Sequence, residues 1–514
     1  MMLFAQLGIA SGKKRSYSKS GKRPPSALQR YGRLAGLALA QVPPVVRAAV
    51  AHILGRSETA QHLDLVSSID LVILRNVFLP LPQRCFSISE IQRVTVTDVG
   101  VRGKLWVATH AAVEPAESAT RDALVAVIKS LGGGGGGGGD SGGKTTLVPE
   151  YAPGIEAEWT GFRADARPNE PPPPGLPERV KFDALMRECR GPATVLYLHG
   201  GASYLADPAS YRPITQRLAE LTGGRCYSVR YRLAPQHPFP AALLDALVSY
   251  LTLLYPPPGA FHQPVRPEHV VFSGDSFGAN LCLSLVQAIL ELGRLGKSKI
   301  QWHGKIRDLP LPAGLALLSP WIDICFSSAP FRSPVPSAFD FVPRWAEFCN
   351  HTFEPCAAWP ASPPRKYIYA DDELAAHPLV SPITAASWQG CPPVYICAGW
   401  EMLADDARFL ARHLAAQHVP VVFEQYQAMP HIFPVVFPAV PSTRRCFEAL
   451  AAFIHTVVDD PAAVESSATF IRVKTVQEEG MQLDDLSQDS YAEVCRRVHH
   501  AAATDPSPYV TRRQ

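Results

Sequence analysis

Between Thr194 and Tyr426, short mainly apolar runs, many of their residues β-branched, alternate with longer stretches in which apolar residues return at every third or fourth place. The short runs are Thr194 to Leu198, Cys226 to Tyr231, Val270 to Phe272, Gly314 to Leu318, Val394 to Cys397 and Val421 to Tyr426. The longer stretches are Tyr211 to Leu221, Ala241 to Leu254, Leu281 to Leu292 and Leu403 to Gln417. A strand that is apolar throughout is buried on both faces, and helices between such strands supply the cover. The pattern predicts an α/β fold with a mostly parallel central sheet and helices on both faces. Functional groups are then expected in loops at the carboxyl ends of the strands.

Upstream the pattern changes. Leu34 to Leu54 is apolar but broken by Gln41, Pro43, Pro44 and Arg47. Its uninterrupted part falls short of the roughly 20 residues a membrane-spanning helix needs, so a surface-lying helix is expected. Leu63 to Leu81 has helical spacing, and Arg75 in its middle argues against a membrane span. Together these two read as an N-terminal helical cap over the mouth of the site. Ile88 to His110 alternates as half-buried strands do, which predicts an antiparallel pair at the sheet edge. The chain thus divides into a basic disordered leader (1–33), a helical cap segment (34–86), the α/β domain (87–460) and a C-terminal extension (461–514) with a weak helix near Tyr491 to Ala502. The α/β domain carries a glycine-rich loop at 132–143 and a cap insertion at 327–364.

The loop at 132–143 contains an unbroken run of glycine, and Gly138 to Thr145 matches the phosphate-loop pattern letter for letter. A phosphate loop must open a helix, and Leu147-Val148-Pro149-Glu150-Tyr151-Ala152-Pro153-Gly154 cannot form one. A flexible insertion is the better reading.

Composition adds less. With 514 residues, 47% hydrophobic and 18% charged, the chain can bury a large core, and a net charge of +3 gives no bulk field for nucleic acid. It hides a local asymmetry, because no Asp or Glu occurs from Met1 to Ser57 while Lys and Arg crowd that start. A transit peptide, a membrane-surface tether and a disordered tail all fit such a leader. Peripheral membrane contact through the basic, amphipathic start is therefore among the expectations. So is an intracellular location, whether cytoplasmic, peripheral on an intracellular membrane or mitochondrial. The eleven cysteines show neither CxxC pairs nor Cys/His ligand spacing, which argues against a metal site and a disulfide framework and for a reducing compartment.

The candidate chemistry sits at the strand ends. Val270-Val271-Phe272 runs into Gly274-Asp275-Ser276-Phe277-Gly278 and then directly into a helix. A tight turn of this kind stands Ser276 clear of the sheet at a helix N-terminus, where developing negative charge is favoured. His199-Gly200-Gly201-Ala202 follows the strand at Thr194 to Leu198, and its bare backbone can aim N–H groups at an oxyanion. A serine nucleophile needs a base, and the base needs an acid to fix its tautomer, following in the order Ser, Asp/Glu, His. His431, just past the last strand, is the base candidate; His413, His418 and His455 lie on or beside helices and are read as ordinary surface or satisfied histidines. For the acid, Glu401 stands in the loop itself and is preferred, with Asp405, one turn into the next helix, as the alternative.

These motifs, with Tyr231-Arg232-Leu233-Ala234-Pro235-Gln236-His237-Pro238-Phe239-Pro240, Leu318-Ser319-Pro320-Trp321-Ile322-Asp323 and Met429-Pro430-His431-Ile432-Phe433, resemble the hormone-sensitive-lipase-type branch of the α/β-hydrolases. Within it the likeness is to fungal steryl-acetyl-hydrolase-like esterases and the arylacetamide-deacetylase group, over roughly Ile88 to Val457. The resemblance implies the α/β-hydrolase fold, Ser276 as nucleophile, His431 as base, and oxyanion N–H donors among Gly200, Gly201, Ala202 and Phe277. It departs from the family at three points: Ala202 replaces a third glycine, Phe277 replaces a small residue, and Glu401-Met402-Leu403 replaces Asp-Pro-Leu.

The expected activity is that of a serine carboxylesterase or lipase-like hydrolase acting through an acyl-enzyme on a small hydrophobic ester, an acetyl or short-acyl ester of a sterol or lipid included. It needs no cofactor and no metal. A non-catalytic ligand-binding member of the fold and an amide hydrolase are the alternatives, and retention of Ser276, Glu401 and His431 favours an enzyme. The aromatic residues of the cap insertion, Phe331, Phe339, Phe341, Trp345 and Phe348, could shape the substrate site or simply fill core.

Overall fold

The computed structural model describes residues 27–78, 86–132, 150–335, 337–349, 352–507 and 510–511. Most of the basic leader, and the glycine run from Gly133 with its Gly143-Lys144-Thr145 ending, lie outside the described residues.

Helices α1 (Ala27–Ile53), α2 (Leu65–Phe78) and α3 (Ile88–Thr95) precede strand β1 (Leu105–Ala112). Helix α4 (Ala119–Gly132), β2 (Ile155–Phe162), α5 (Glu178–Glu188), β3 (Thr194–Leu198), α6 (Pro208–Thr222), β4 (Arg225–Val229) and α7 (Ala241–Leu254) come next. Strand β5 (Val270–Asp275) then leads into α8 (Phe277–Arg294), β6 (Gly314–Leu318), β7 (Val394–Ala398), α9 (Ala404–Ala415), β8 (Val421–Tyr426) and α10 (Pro441–Asp459). Two more strands, β9 (Ser467–Ile471) and β10 (Glu478–Met481), and helix α11 (Tyr491–Thr504) follow.

These ten strands form one sheet in the order β1-β2-β4-β3-β5-β6-β7-β8-β9-β10, and two small two-stranded sheets lie apart from it. From β4 to β9 the neighbours are parallel, while β1 and β2 at one end and β10 at the other run antiparallel. Side chains alternate between two buried faces. Leu196, Leu198, Phe272 and Leu317 pack under α7 and α8. Val195, Tyr197, Val271 and Leu318 pack under α6 and α10. Because the central strands are parallel, the loops after β3, β5, β7 and β8 emerge on one rim.

One expectation needs correction. Ile88 to His110 is not a pair of strands: Ile88–Thr95 is a helix, because Ser87 and Glu90 close a capping box at its start and Ile88 and Gln92 are buried on one face. Only the second half is a strand, and it pairs with β2. Within the C-terminal extension, β9 and β10 extend the main sheet.

Helix α2 buries Leu71 and Leu74 against the sheet face that holds α6 and α10, while α1 leaves Leu39, Val42, Val46, Val50 and Ile53 exposed. Among the described residues no helix is long and apolar enough to cross a membrane. The cap insertion divides its aromatics between two roles. Phe331, Trp345 and Phe348 ring Phe326 in the core, whereas Phe339 and Phe341 reach the rim where the strand-end loops gather.

Candidate active site

Ser276 holds φ 51 and ψ −118 between β5 and α8, an arrangement that non-glycine residues rarely adopt. The turn is fixed from both sides, since Ser276 N–H donates to the Leu318 carbonyl (2.9 Å) and Trp321 N–H donates to the Ser276 carbonyl (3.1 Å). Helix α8 can follow so closely only because Gly278 has no side chain; a Cβ there would run into the Leu198 carbonyl at the end of β3.

The loop after β8 delivers His431, and the loop after β7 delivers Glu401. Trp400 N–H donates to the Met429 carbonyl (2.8 Å) and joins the two loops. Ile432, in a left-handed conformation with φ 45, turns the chain behind His431, and its N–H donates to Ser319 Oγ (3.0 Å). His431 Nε2 lies 3.0 Å from Ser276 Oγ, and His431 Nδ1 lies 2.6 Å from Glu401 Oε2. A carboxylate accepts only, so Nδ1 carries the proton that faces Glu401 and Nε2 is left as the acceptor for the serine hydroxyl. The second Glu401 oxygen accepts from Gly399 N–H at 3.3 Å.

Ser276, Glu401 and His431 are 7%, 5% and 5% exposed, so little water screens the line they form. Burial alone would lower the His431 pKa; the Glu401 carboxylate, through charge and hydrogen bond, and then Asp340 and Asp275, outweigh it and hold the imidazole above its ordinary value.

Asp405 takes no part in this line. It sits on the exposed face of α9 and pairs with Arg408 (3.1 Å), because a residue one turn into the helix faces away from the rim. One methylene more than aspartate lets Glu401 reach the imidazole from the loop.

The oxyanion set also narrows. Gly200 N–H is spent on Asp275 Oδ1 (3.0 Å), which leaves Gly201, Ala202 and Phe277 as the N–H groups near Ser276 without an acceptor among the described residues. Asp275, directly before the serine, also accepts from the hydroxyls of Tyr197 (2.8 Å) and Tyr211 (2.9 Å). Burial pushes its pKa up to about 6, against the pull of those two hydroxyls and Gly200 N–H. A Cβ on Gly200 would collide with this carboxylate, so the loop and the acid fit only without one. Phe277 turns its ring away into the core beside Tyr369, which leaves its backbone N–H at the turn.

Sequence reasoning missed Asp340. From the cap insertion its buried carboxylate reaches the N–H groups of Met402 and His431. A lone acid in a Pro- and Phe-rich segment gives no motif to find it by. Among the described residues no cluster of three or more His, Cys, Asp or Glu is placed to hold a metal, and the cysteines there are unpaired.

A family profile described as alpha/beta hydrolase fold matches residues 195–435. An acetyl-hydrolase of Streptomyces hygroscopicus is 31% identical over 268 residues, covering 52% of this chain and 77% of its own length. The chain belongs to the α/β-hydrolase fold family. An esterase of Acinetobacter venetianus is 25% identical over 276 residues, covering 53% of this chain and 78% of its own length. As a member of the α/β-hydrolase family, the chain is a serine ester hydrolase.

Proposed function

We propose that this α/β-hydrolase cleaves small hydrophobic carboxylic esters with a short acyl group, using Ser276 as nucleophile, His431 as general base and Glu401 as the acid that orients it. The unbroken hydrogen-bonded line from Glu401 Oε2 through His431 to Ser276 Oγ carries the reading. His431 Nε2 takes the hydroxyl proton as Ser276 Oγ attacks the ester carbonyl. The oxyanion that forms is met by the N–H groups of Gly201, Ala202 and Phe277. His431 then gives its proton to the leaving alcohol. Water, deprotonated by the same nitrogen, releases the acid from the acyl-serine. Glu401 offsets the positive charge that the imidazole carries in each transition state.

Two observations support a short acyl group and an apolar substrate. One relative is named an acetyl-hydrolase. The Phe341 ring lies 6.0 Å from the His431 ring, and Phe339, Trp400 and His62 meet edge to face beside the acid loop. The Ser276→Ala variant, assayed on p-nitrophenyl acetate and exposed to a fluorophosphonate probe, is expected to lose both hydrolysis and labelling. Hydrolysis at the unaltered rate in that variant overturns the proposal.

A further inference from the structure

Asp340 is a buried acidic side chain beside the Glu401–His431 pair that has no part in the mechanism above. Its carboxylate accepts three main-chain N–H bonds, from Phe341 (2.8 Å) and His431 (3.1 Å) on Oδ1 and from Met402 (2.7 Å) on Oδ2. Burial, and the Glu401 charge, push the Asp340 pKa up; the His431 charge and the N–H groups of Met402 and His431 pull the other way and favour the ionised form, which accepts only.

The two distant donors identify what this carboxylate spans. Met402 adjoins Glu401, and His431 is the base itself, so one side chain grips the main chain of both loops that must meet. Asp340 is held in turn from outside the sheet. Arg75 of α2 donates to its carbonyl from Nε (3.1 Å) and Nη2 (2.7 Å), and to the Ser337 carbonyl (2.8 Å).

We propose that Asp340 is a positioning residue of the acid–base pair, setting the approach of Glu401 to His431 by tying their main chains together and lending a second negative charge to the imidazolium. This rests on the reading of Ser276, His431 and Glu401 given above. His431 is faced by Glu401 from the acid loop, Asp340 from the insertion and Asp275 from the end of β5. Asp340 is faced by His431 and Glu401, and by Arg75 from α2, which Glu347 also faces. Neutralising Asp340 removes a charge that favours imidazolium, so the imidazole loses its proton at lower pH. Misplacing the pair by a fraction of an ångström slows the proton transfer without touching the groups that bind the ester.

The test compares wild type, Asp340→Asn and Arg75→Gln on p-nitrophenyl acetate across pH, with active sites counted by fluorophosphonate labelling and folding followed by thermal melts. For Asp340→Asn, kcat per labelled site is expected to fall about 10- to 100-fold with KM within about threefold. The acid limb of kcat/KM is expected to move to lower pH by about half a unit to one unit. A variant that melts earlier but keeps wild-type kcat per site and the wild-type acid limb overturns the proposal, since a merely structural role predicts that result. If Asp340→Asn does not fold, Arg75→Gln decides. It keeps the carboxylate but releases its main chain, and is expected to lower kcat about three- to tenfold. Wild-type kcat there overturns the proposal. Ser276→Ala, run alongside, separates this outcome from failure of the underlying reading, which would show as hydrolysis retained in that variant.

Discussion

Asp275 and Asp340 each accept three hydrogen bonds beneath the Ser276–His431–Glu401 line, but from different company. The partners of Asp275 are Tyr197 on β3, Gly200 just beyond it and Tyr211 on α6, all parts of the central sheet and its covering helix. Asp340 draws its partners from loops, arrives on an insertion, and is braced by Arg75 on a helix that precedes the whole sheet. The serine half of the site is therefore built into the sheet, where any disturbance is a disturbance of the core. The acid–base half depends on segments added around the sheet, and can be loosened while the serine half stays intact.

The largest effect expected within the acid–base half is for Glu401→Gln. The side chain keeps its size but no longer offers a charged acceptor to Nδ1, so the wrong tautomer becomes accessible. kcat/KM should fall about 10³- to 10⁴-fold, about 4 to 5 kcal/mol, with the melting temperature little changed. Steady-state kinetics beside a thermal melt checks this, and loss of folding instead would erase the contrast between the halves. Asp275→Ala should act the other way round. It leaves two tyrosine hydroxyls and Gly200 N–H without their acceptor, and should cost about 3 kcal/mol of stability in urea titration, because each abandoned donor costs about 1–3 kcal/mol and relief of the buried acid offsets part of the sum.

The pH profile sharpens the contrast further. Because the carboxylates around His431 hold its pKa above the ordinary value, kcat/KM should rise with pH through a midpoint above about 6.5, since the base works only when neutral. A midpoint below that value would mean that burial, rather than the carboxylates, dominates. The smallest effect belongs to Asp405→Asn, which gives up only a surface pair with Arg408. Both kcat/KM and stability should stay within about 0.5 kcal/mol of wild type.

How much of this was legible in the sequence follows the same division. Strands such as Gly314–Leu318 and Val394–Ala398 stood out because they are apolar on both faces. Ser276 and His431 were marked by local patterns at strand ends, and Glu401 was favoured over Asp405 by its place in the loop. Asp340 was invisible because its partners are 62 and 91 residues away and are backbone groups, which leave no trace in residue type. The engagement of Gly200 N–H was hidden likewise, since a bare glycine reads the same whether its N–H faces a substrate or Asp275. Ile88–Thr95 reads as strand only by continuity with the alternation that begins at Val94 and Val96; its own Ile88, Ile91 and Val94 recur at helical spacing behind the Ser87 capping box.

Strand β10 is four residues long and carries Glu478 and Glu479, which pair with Arg445 and Arg472. A short, charged border of this kind is a poor template for another chain. One strand further in, β9 covers β8, and the Ile471 carbonyl accepts from Gln427 N–H at the foot of the loop that carries His431. A chain cut after α10 would present β8 instead, a longer and almost wholly buried strand with Val421, Val422 and Phe423 at its start and its backbone groups unmatched. Such a fragment should self-associate through that margin, so the last part of the sequence guards solubility as well as the footing of the catalytic loop.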